Sequence, residues 1–439
     1  MGTLAQPQMA PATGSEPASS TRLMSLDALR GFDMFWIIGA DSLFYALKQL
    51  SPNRVTAFLA YELDHAEWQG FHFYDLIFPM FVFMVGVSLV FSLGKLLKQA
   101  GRPEALKRVV RRSVLLFILA LLYSGGFAKA WPDIRLLGVL NRIALAYCAA
   151  GLLFCFFNPK TLVSVCVGLL VVYWALMTFV PIRDIQMTKP SLARLAEQNG
   201  SPKTAALFQA EGNPSTVKDS PAWAAAQRMF YSTTNYTSGK FGPGYNLSDH
   251  LDFQYLPGKK WDNFYDPEGY LSTLGAIATC LLGVFAGLLL RNPAVADQRK
   301  VMWLVGFGLV AVALGWTWNL QFPVIKKIWT SSYVLVAGGY SALLLAAFYQ
   351  IVDIWQVRGW CQPFVWIGMN PITIYMASNL LGGEGFVKVA HRFAGSNVQA
   401  FLDAHLAQGA GELVLSIIGL LLALWLAHFL YRRRVFIRL

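Results

Sequence analysis

The sequence predicts an all-α polytopic membrane protein of about ten transmembrane helices, with both termini in the cytoplasm and one long extracytoplasmic loop between helices five and six. Three observations predict it. Of 439 residues, 56% are hydrophobic and only 14% charged, against roughly 25% charged in soluble domains, so a chain this long lacks the polar surface to cover itself in water. Apolar runs of about 20 residues, the length that crosses a hydrocarbon core of ~30 Å, recur along the chain. Lys and Arg gather in short connections on alternate sides of those runs. The net charge of +12 lies mostly in these flanking clusters, so it reports membrane topology and a lipid partner rather than nucleic-acid binding.

Taken in order, residues 1–21 are an Ala/Pro/Ser/Gly/Thr-rich tail without an apolar h-region, read as disordered rather than as a signal peptide. Residues 22–439 then form one membrane domain. Spans are expected near 31–48, 72–94, 110–127, 136–157, 161–180, 270–290, 301–319, 330–351, 361–381 and 411–431. From Leu76 to Gly94 there is no charge at all. The connection that follows carries Lys95, Lys98, Arg102, Lys107, Arg108, Arg111 and Arg112, which makes it cytoplasmic; alternation puts Arg291, Arg358 and Arg432 inside as well. The long loop, 181–269, falls outside, with weak helical character in its first half and the Gly, Pro and aromatic spacing of an ordered irregular cap from Gly239 to Gly269. Two basic spots, Lys326/Lys327 and Lys388/Arg392, fall outside against the trend. The five cysteines sit in or beside apolar runs with no metal-ligand or disulfide spacing, so no metal is expected.

Polar groups in spanning helices cost several kcal/mol and need a reason. With this topology Asp41, Asp75, Asn141, Arg142 and Ser332 fall in the outer half of the membrane, and Asn370 with Pro371 lies mid-membrane. His65 and Glu67 precede the second span, and Trp261, Asp262, Asp266 and Glu268 precede the sixth. They converge on one depth. Each also has a plainer role open to it. Asp41 can cap or bond a neighbouring helix, Arg142 can be the structural partner of Asp75 or Asp41, and Asn370-Pro371 can mark a helix break. Asp27 and Arg30 read as an i,i+3 ion pair near the cytoplasmic face. His65, between Asp64 and Glu67, is placed to accept a proton near neutral pH. Spacing alone leaves that role open. The other histidines have no such setting.

The blocks Arg22–Gly31, His65–Gly86 (His-Ala-Glu-Trp-Gln-Gly-Phe-His-Phe-Tyr-Asp-Leu-Ile-Phe-Pro at its start) and Gly138–Ile143 resemble the heparan-α-glucosaminide N-acetyltransferase family and its bacterial relatives, as do Tyr265–Gly269, Ile328–Val334 and Gly368–Ile372. The resemblance runs in family order from about residue 22 to 381 and implies a transmembrane acyltransferase. Acetyl-CoA is then the donor, and the amino group of a terminal glucosamine beyond the membrane is the acceptor. The family's functional histidine matches His65. Its polar residue in the first helix, typically Asn, falls on Asp41, a departure that lets a carboxylate share the base role. The large N-terminal luminal domain of the animal members is not matched here, and the expected location is a cell inner (plasma) membrane, with a homodimer as the family's expected assembly.

The chemistry suits these residues. A thioester needs its carbonyl polarised and the attacking amine deprotonated. His65 can take the proton or carry the acetyl group itself, with Asn141, Arg142 or Asn370 bonding the oxyanion. Trp261, Asp75, Asp266, Glu268 and Ser332 complete the expected sugar site, and Arg30, Lys107, Arg111 and Arg112 are expected against the donor's phosphates. The reading from a different class is a transporter for an amino sugar or small glycan. Its signature is a pair of interrupted helices, of which Asn370-Pro371 supplies one and the first half of the sequence no partner.

Overall fold

The computed structural model describes residues 23–216, 220–380 and 385–436; the tail expected to be disordered, 1–21, lies outside them. The chain is an all-α, multi-pass membrane protein. In order come α1 (Met24–Phe35), a wide turn at Trp36–Ala40, α2 (Asp41–Leu50), α3 (Arg54–Glu62), α4 (Phe73–Tyr123), α5 (Val139–Phe156) and α6 (Pro159–Phe179). The long loop folds into α7 (Lys189–Gln198), α8 (Pro202–Gln209), α9 (Pro221–Ser232) and α10 (Leu247–Tyr255), with a two-residue pairing of Ile182–Arg183 against Tyr236–Thr237. Then follow α11 (Thr273–Arg291), α12 (Asp297–Trp318), α13 (Ser331–Phe348), α14 (Gln362–Met369), α15 (Pro371–Leu380), α16 (Gly385–His405) and α17 (Ala410–Arg432).

Among the described residues, seven helices are long and apolar enough to cross a membrane. One of them, α4, has 51 residues, about 76 Å at 1.5 Å per residue, enough for two crossings. It turns at Gly101 (φ 81°), so the connection expected to be a loop is helical on both sides of one glycine. Its Ala, Leu, Glu, Lys and Arg are strong helix formers. The first and ninth expected spans are each broken. Gly39 (φ 119°) interrupts the first between α1 and α2, which corrects the expectation of an unbroken first half. Asn370 separates α14 from α15, as its Pro371 predicted. The stretch before the last span, expected to be a connection, is the amphipathic helix α16.

Close helix approach explains the glycines. A Cβ on Gly31 would strike the backbone of Phe364 and one on Gly368 the backbone of Asp27, so α1 and α14 meet backbone to backbone. Gly86 and Gly283 do the same between α4 and α11, and Gly308 and Gly339 between α12 and α13. The long loop has its own core around Phe208, Phe230, Phe253 and Phe264. It is fastened to one end of the bundle: Trp68 Nε1 donates to the Phe241 carbonyl at 2.7 Å, Arg135 bridges Gly258, and Lys327 pairs with Asp262 at 2.9 Å. At that same end Gly70 donates to Val324, joining the 63–72 and 319–330 connections.

Candidate functional site

A cavity of about 630 Å³ opens at this end and runs down between α1, α4, α5 and α15. That is the size of a small-molecule site. Its mouth is polar, with His65, Asp75, Lys326 and Glu268, and its depth is apolar, with Met34, Ile37, Phe81 and Ile372.

Asp75 sits in the first turn of α4, fully buried, where the positive end of the helix favours a carboxylate. Oδ2 accepts the backbone N–H of His72 at 3.1 Å and of Ala66 at 3.2 Å. Oδ1 meets His65 Nδ1 at 2.9 Å. The carboxylate serving His65 is therefore Asp75. Asp64, expected beside the ring, accepts the backbone N–H of His65 instead. Tyr333 donates to the Asp75 carbonyl at 2.8 Å and ties α4 to α13.

The residue that sequence reasoning missed is Lys326. Its Nζ lies 3.2 Å from Asp75 Oδ1, 2.9 Å from His65 Nδ1 and 3.3 Å from Nε2. The 326–329 turn aims it there. Trp329 adopts φ 49°, an uncommon backbone state for a bulky residue, and donates its N–H to the Lys326 carbonyl at 2.9 Å. Burial pushes the Lys326 ammonium below its ordinary pKa, against the pull of Asp75. The only hint in the sequence was that Lys326 and Lys327 broke the topology rule.

Tyr74 was also missed. Its ring lies 4.8 Å from that of His65, and its hydroxyl donates to Asp41 at 3.3 Å. Asp41 thus joins the site through Tyr74, at the start of α2 just past the Gly39 break.

A second charged group forms the other wall. Arg135 grips Asp266 with two bonds of 2.8 and 2.7 Å and also pairs with Glu268. Trp261 lies 5.0 Å over its guanidinium. Burial and the adjacent Asp266 push Glu268 above the usual carboxylate range. Arg142, fully buried, does not reach Asp75 or Asp41 through any of its hydrogen bonds. It donates to the Pro267 carbonyl at 2.7 Å and to Ser272 at 2.5 Å, beneath Trp329 at 4.8 Å.

Of the remaining expected residues, Asn141 lines the cavity while its side chain accepts from Gly138 and donates to Phe117. Asp41, Asp266, Ser332 and Asn370 are not among the lining residues. Ser332 donates to the Pro323 carbonyl at 3.0 Å, holding the 319–330 connection, and Asn370 donates to the Val435 carbonyl at 2.9 Å, beyond the end of α17. Arg30 bonds Asp27, the Gly368 carbonyl and Ser88. Arg112 stacks over Tyr147 at 4.8 Å, and Lys107 and Arg111 flank it on α4, Arg111 exposed.

Residues 22–194 match the family model described as heparan-alpha-glucosaminide N-acetyltransferase, catalytic. The chain is 25% identical over 448 residues to the heparan-alpha-glucosaminide N-acetyltransferase of Homo sapiens, covering 97% of this chain and 61% of that protein. It is 26% identical over 396 residues to the Mus musculus protein of the same name, covering 85% and 56%. The chain thus spans about three fifths of the length of these relatives. The matched segment contains His65, Tyr74, Asp75, Asn141 and Arg142. Over residues 22–194 the chain is thus similar to the catalytic part of the heparan-alpha-glucosaminide N-acetyltransferase family, and the similarity to the two relatives extends over most of its length.

Proposed function

We propose that this protein is a transmembrane acetyltransferase that moves an acetyl group from cytosolic acetyl-CoA to the amino group of a glucosamine-type sugar on the outer side of the membrane. The observation that carries this reading is the His65–Asp75 pair at the polar mouth of a cavity whose walls turn apolar with depth. The names of the two relatives support it. Asp75 accepts Nδ1–H and leaves Nε2 of His65 to take a proton from the attacking amine or to carry the acetyl group; both routes use the same nitrogen. Trp261 offers a face for a sugar ring and Glu268 at the cavity wall adds a carboxylate able to hold its ammonium, with Asp266 holding Arg135 and Asp41 set behind Tyr74. The donor's phosphates are assigned to Arg30, Lys107, Arg111 and Arg112, with its pantetheine arm in the apolar depth and the protein in a cell inner membrane.

The transporter reading gains one observation, the Gly39 break, which with Asn370 makes two interrupted spans. They are the first and ninth of the expected spans and pack against each other, rather than occupying corresponding places in two halves as a repeat would require. The test is His65→Ala, assayed with labelled acetyl-CoA and a panel of amino sugars. Acetyl transfer should fall about 10²-fold or more. The fold should hold, because the His65 side chain is 51% exposed. Wild-type turnover by a folded variant would remove the mechanism and leave transport as the leading reading.

A further inference from the structure

The residues expected to stabilise the oxyanion each bond elsewhere, although Arg142 Nε has no hydrogen-bond partner among the described residues. Asn141 closes the start of α5, Arg142 clamps the Pro267–Ser272 turn, and Asn370 bonds Val435. The backbone N–H groups nearest His65 are committed too, that of His65 to Asp64 and that of Ala66 to Asp75. Among the described residues, one cation stands within hydrogen-bond distance of the ring. Lys326 reaches Asp75 with one N–H and stands beside the imidazole edge, 2.9 Å from Nδ1 and 3.3 Å from Nε2, the nitrogen left for chemistry. An ammonium has three donors, so a docked Lys326 still has hydrogen-bonding capacity toward the cavity that both residues line.

We propose that Lys326 is a further catalytic residue, whose ammonium hydrogen-bonds the acyl oxygen as the tetrahedral centre forms beside His65. This rests on the acetyltransferase reading above. The amine nitrogen forms its bond to the thioester carbon while its proton passes to His65 Nε2. The carbonyl π pair moves onto oxygen, where Lys326 holds it. Collapse re-forms the carbonyl and breaks the C–S bond, and the proton on Nε2 goes to the departing sulfur, so amine and thioester become amide and thiol. If the ring itself takes the acetyl group first, the oxyanion forms at the same distance from Nε2 and meets the same donor. The left-handed Trp329 fits this role, since its N–H closes the turn that delivers Lys326 to the ring. Lys327, paired with Asp262 at 2.9 Å, is the built-in comparison: same charge, adjacent position, no contact with His65 among the described bonds.

The experiment uses the full chain in detergent or nanodiscs with labelled acetyl-CoA and an accepting amine. Lys326→Met should lower kcat by about 10²–10³, the usual cost of one oxyanion donor, with KM for acetyl-CoA little changed, whereas Lys327→Met should stay near wild type. Lys326→Ala should recover part of its rate with added ethylammonium, a readout that mere loss of packing would not give. If Lys326→Met does not fold, Lys326→Arg replaces it; it keeps the charge, moves the donors, and should lose at least tenfold in kcat. Wild-type kcat in a folded Lys326 variant, a loss carried by KM alone, or failure of ethylammonium to restore any rate each overturns the oxyanion role. The wild type run in parallel separates the two claims. If it acetylates no amine, the functional reading falls and takes this inference with it; if it does, the Lys326 results speak to the inference alone.

Discussion

Asp75→Asn isolates what the buried carboxylate does. Asp75 accepts His65 Nδ1–H at 2.9 Å and the Lys326 ammonium at 3.2 Å on one oxygen, and two backbone N–H groups at 3.1 and 3.2 Å on the other. Asparagine has nearly the same shape and can keep both backbone bonds with its amide oxygen. Its NH₂ then faces His65 and Lys326, where a donor is wrong twice. The ring must accept at Nδ1 and so carries its own proton on Nε2, losing the nitrogen needed for chemistry. In a serine-protease triad the equivalent tautomer change costs about 10⁴ in kcat; here 10²–10⁴ is expected. Breaking a buried ion pair costs about 3–5 kcal/mol. Because the Lys326 side chain is 20% exposed, water recovers part of that, leaving about 1–3 kcal/mol. Steady-state acetyl transfer across pH gives kcat and KM, and thermal unfolding in detergent gives the stability. A folded Asp75→Asn protein with kcat within about threefold of wild type would refute the tautomer argument.

Three other outcomes are expected. Combining Arg30→Ala, Arg111→Ala and Arg112→Ala should raise KM for acetyl-CoA about tenfold or more while leaving amine KM in place; unchanged donor KM removes these residues from the phosphate site. Single cysteines at Lys203 or Lys240 should react with an impermeant thiol reagent on intact cells while one at Lys98 stays protected, and the reverse pattern would turn the protein over. Burial, with Asp266 adding to it, holds Asp252 on α10 of the long loop up to about 7 against 3.8 when free. A raised acid contributes stability below the free value and loses it as pH rises through the folded one, so Asp252→Asn should gain on wild type by about 1.4 kcal/mol per pH unit between pH 4 and 7. Parallel unfolding curves at pH 5 and 8 with a constant difference between the two proteins would count against it.

Sequence made the spans legible because a bilayer demands long apolar runs, and made His65 legible because it stands in a specific block. Asp75 was visible as a polar residue at a helix mouth, yet its pairing with His65 across ten positions was not, since Asp64 lay nearer in the chain. Lys326 and Arg135 were hidden for the same reason at longer range: they meet His65 and Asp266 across 261 and 131 positions. The Gly39 break was hidden because a single glycine in an apolar helix costs only about 1 kcal/mol and usually leaves the helix intact, whereas Pro371 announces its break. Helix α16 escaped because its amphipathic pattern lacks the unbroken apolar run that marks a span. Ser332 and Asn370 sit at depths that suggested ligand contact, and both instead bond backbone carbonyls that shape neighbouring segments.

The direction of the helices bears on which chemistry the cavity suits. α4, α5, α11 and α13 all begin at the end where it opens: Asp75 is in the first turn of α4, Asn141 in that of α5, Ser272 precedes α11 and Thr330 precedes α13. Each helix N-terminus carries about half a positive charge and favours anions by roughly 0.3–1 kcal/mol when exposed. Four of them at the end where the cavity opens, two of them (α4 and α5) lining it, with Arg135, Arg142 and Lys326 nearby, make a setting preorganised for negative charge. The carboxylates Asp75, Asp266 and Glu268 offset part of it in the resting protein. A pathway for a cationic sugar would gain by turning carbonyl ends toward its cargo, as C-termini do. An acyl transfer that develops an oxyanion beside His65 gains from N-termini, and gains most in the transition state, where the charge is greatest. The polarity of the bundle therefore favours catalysis over passage.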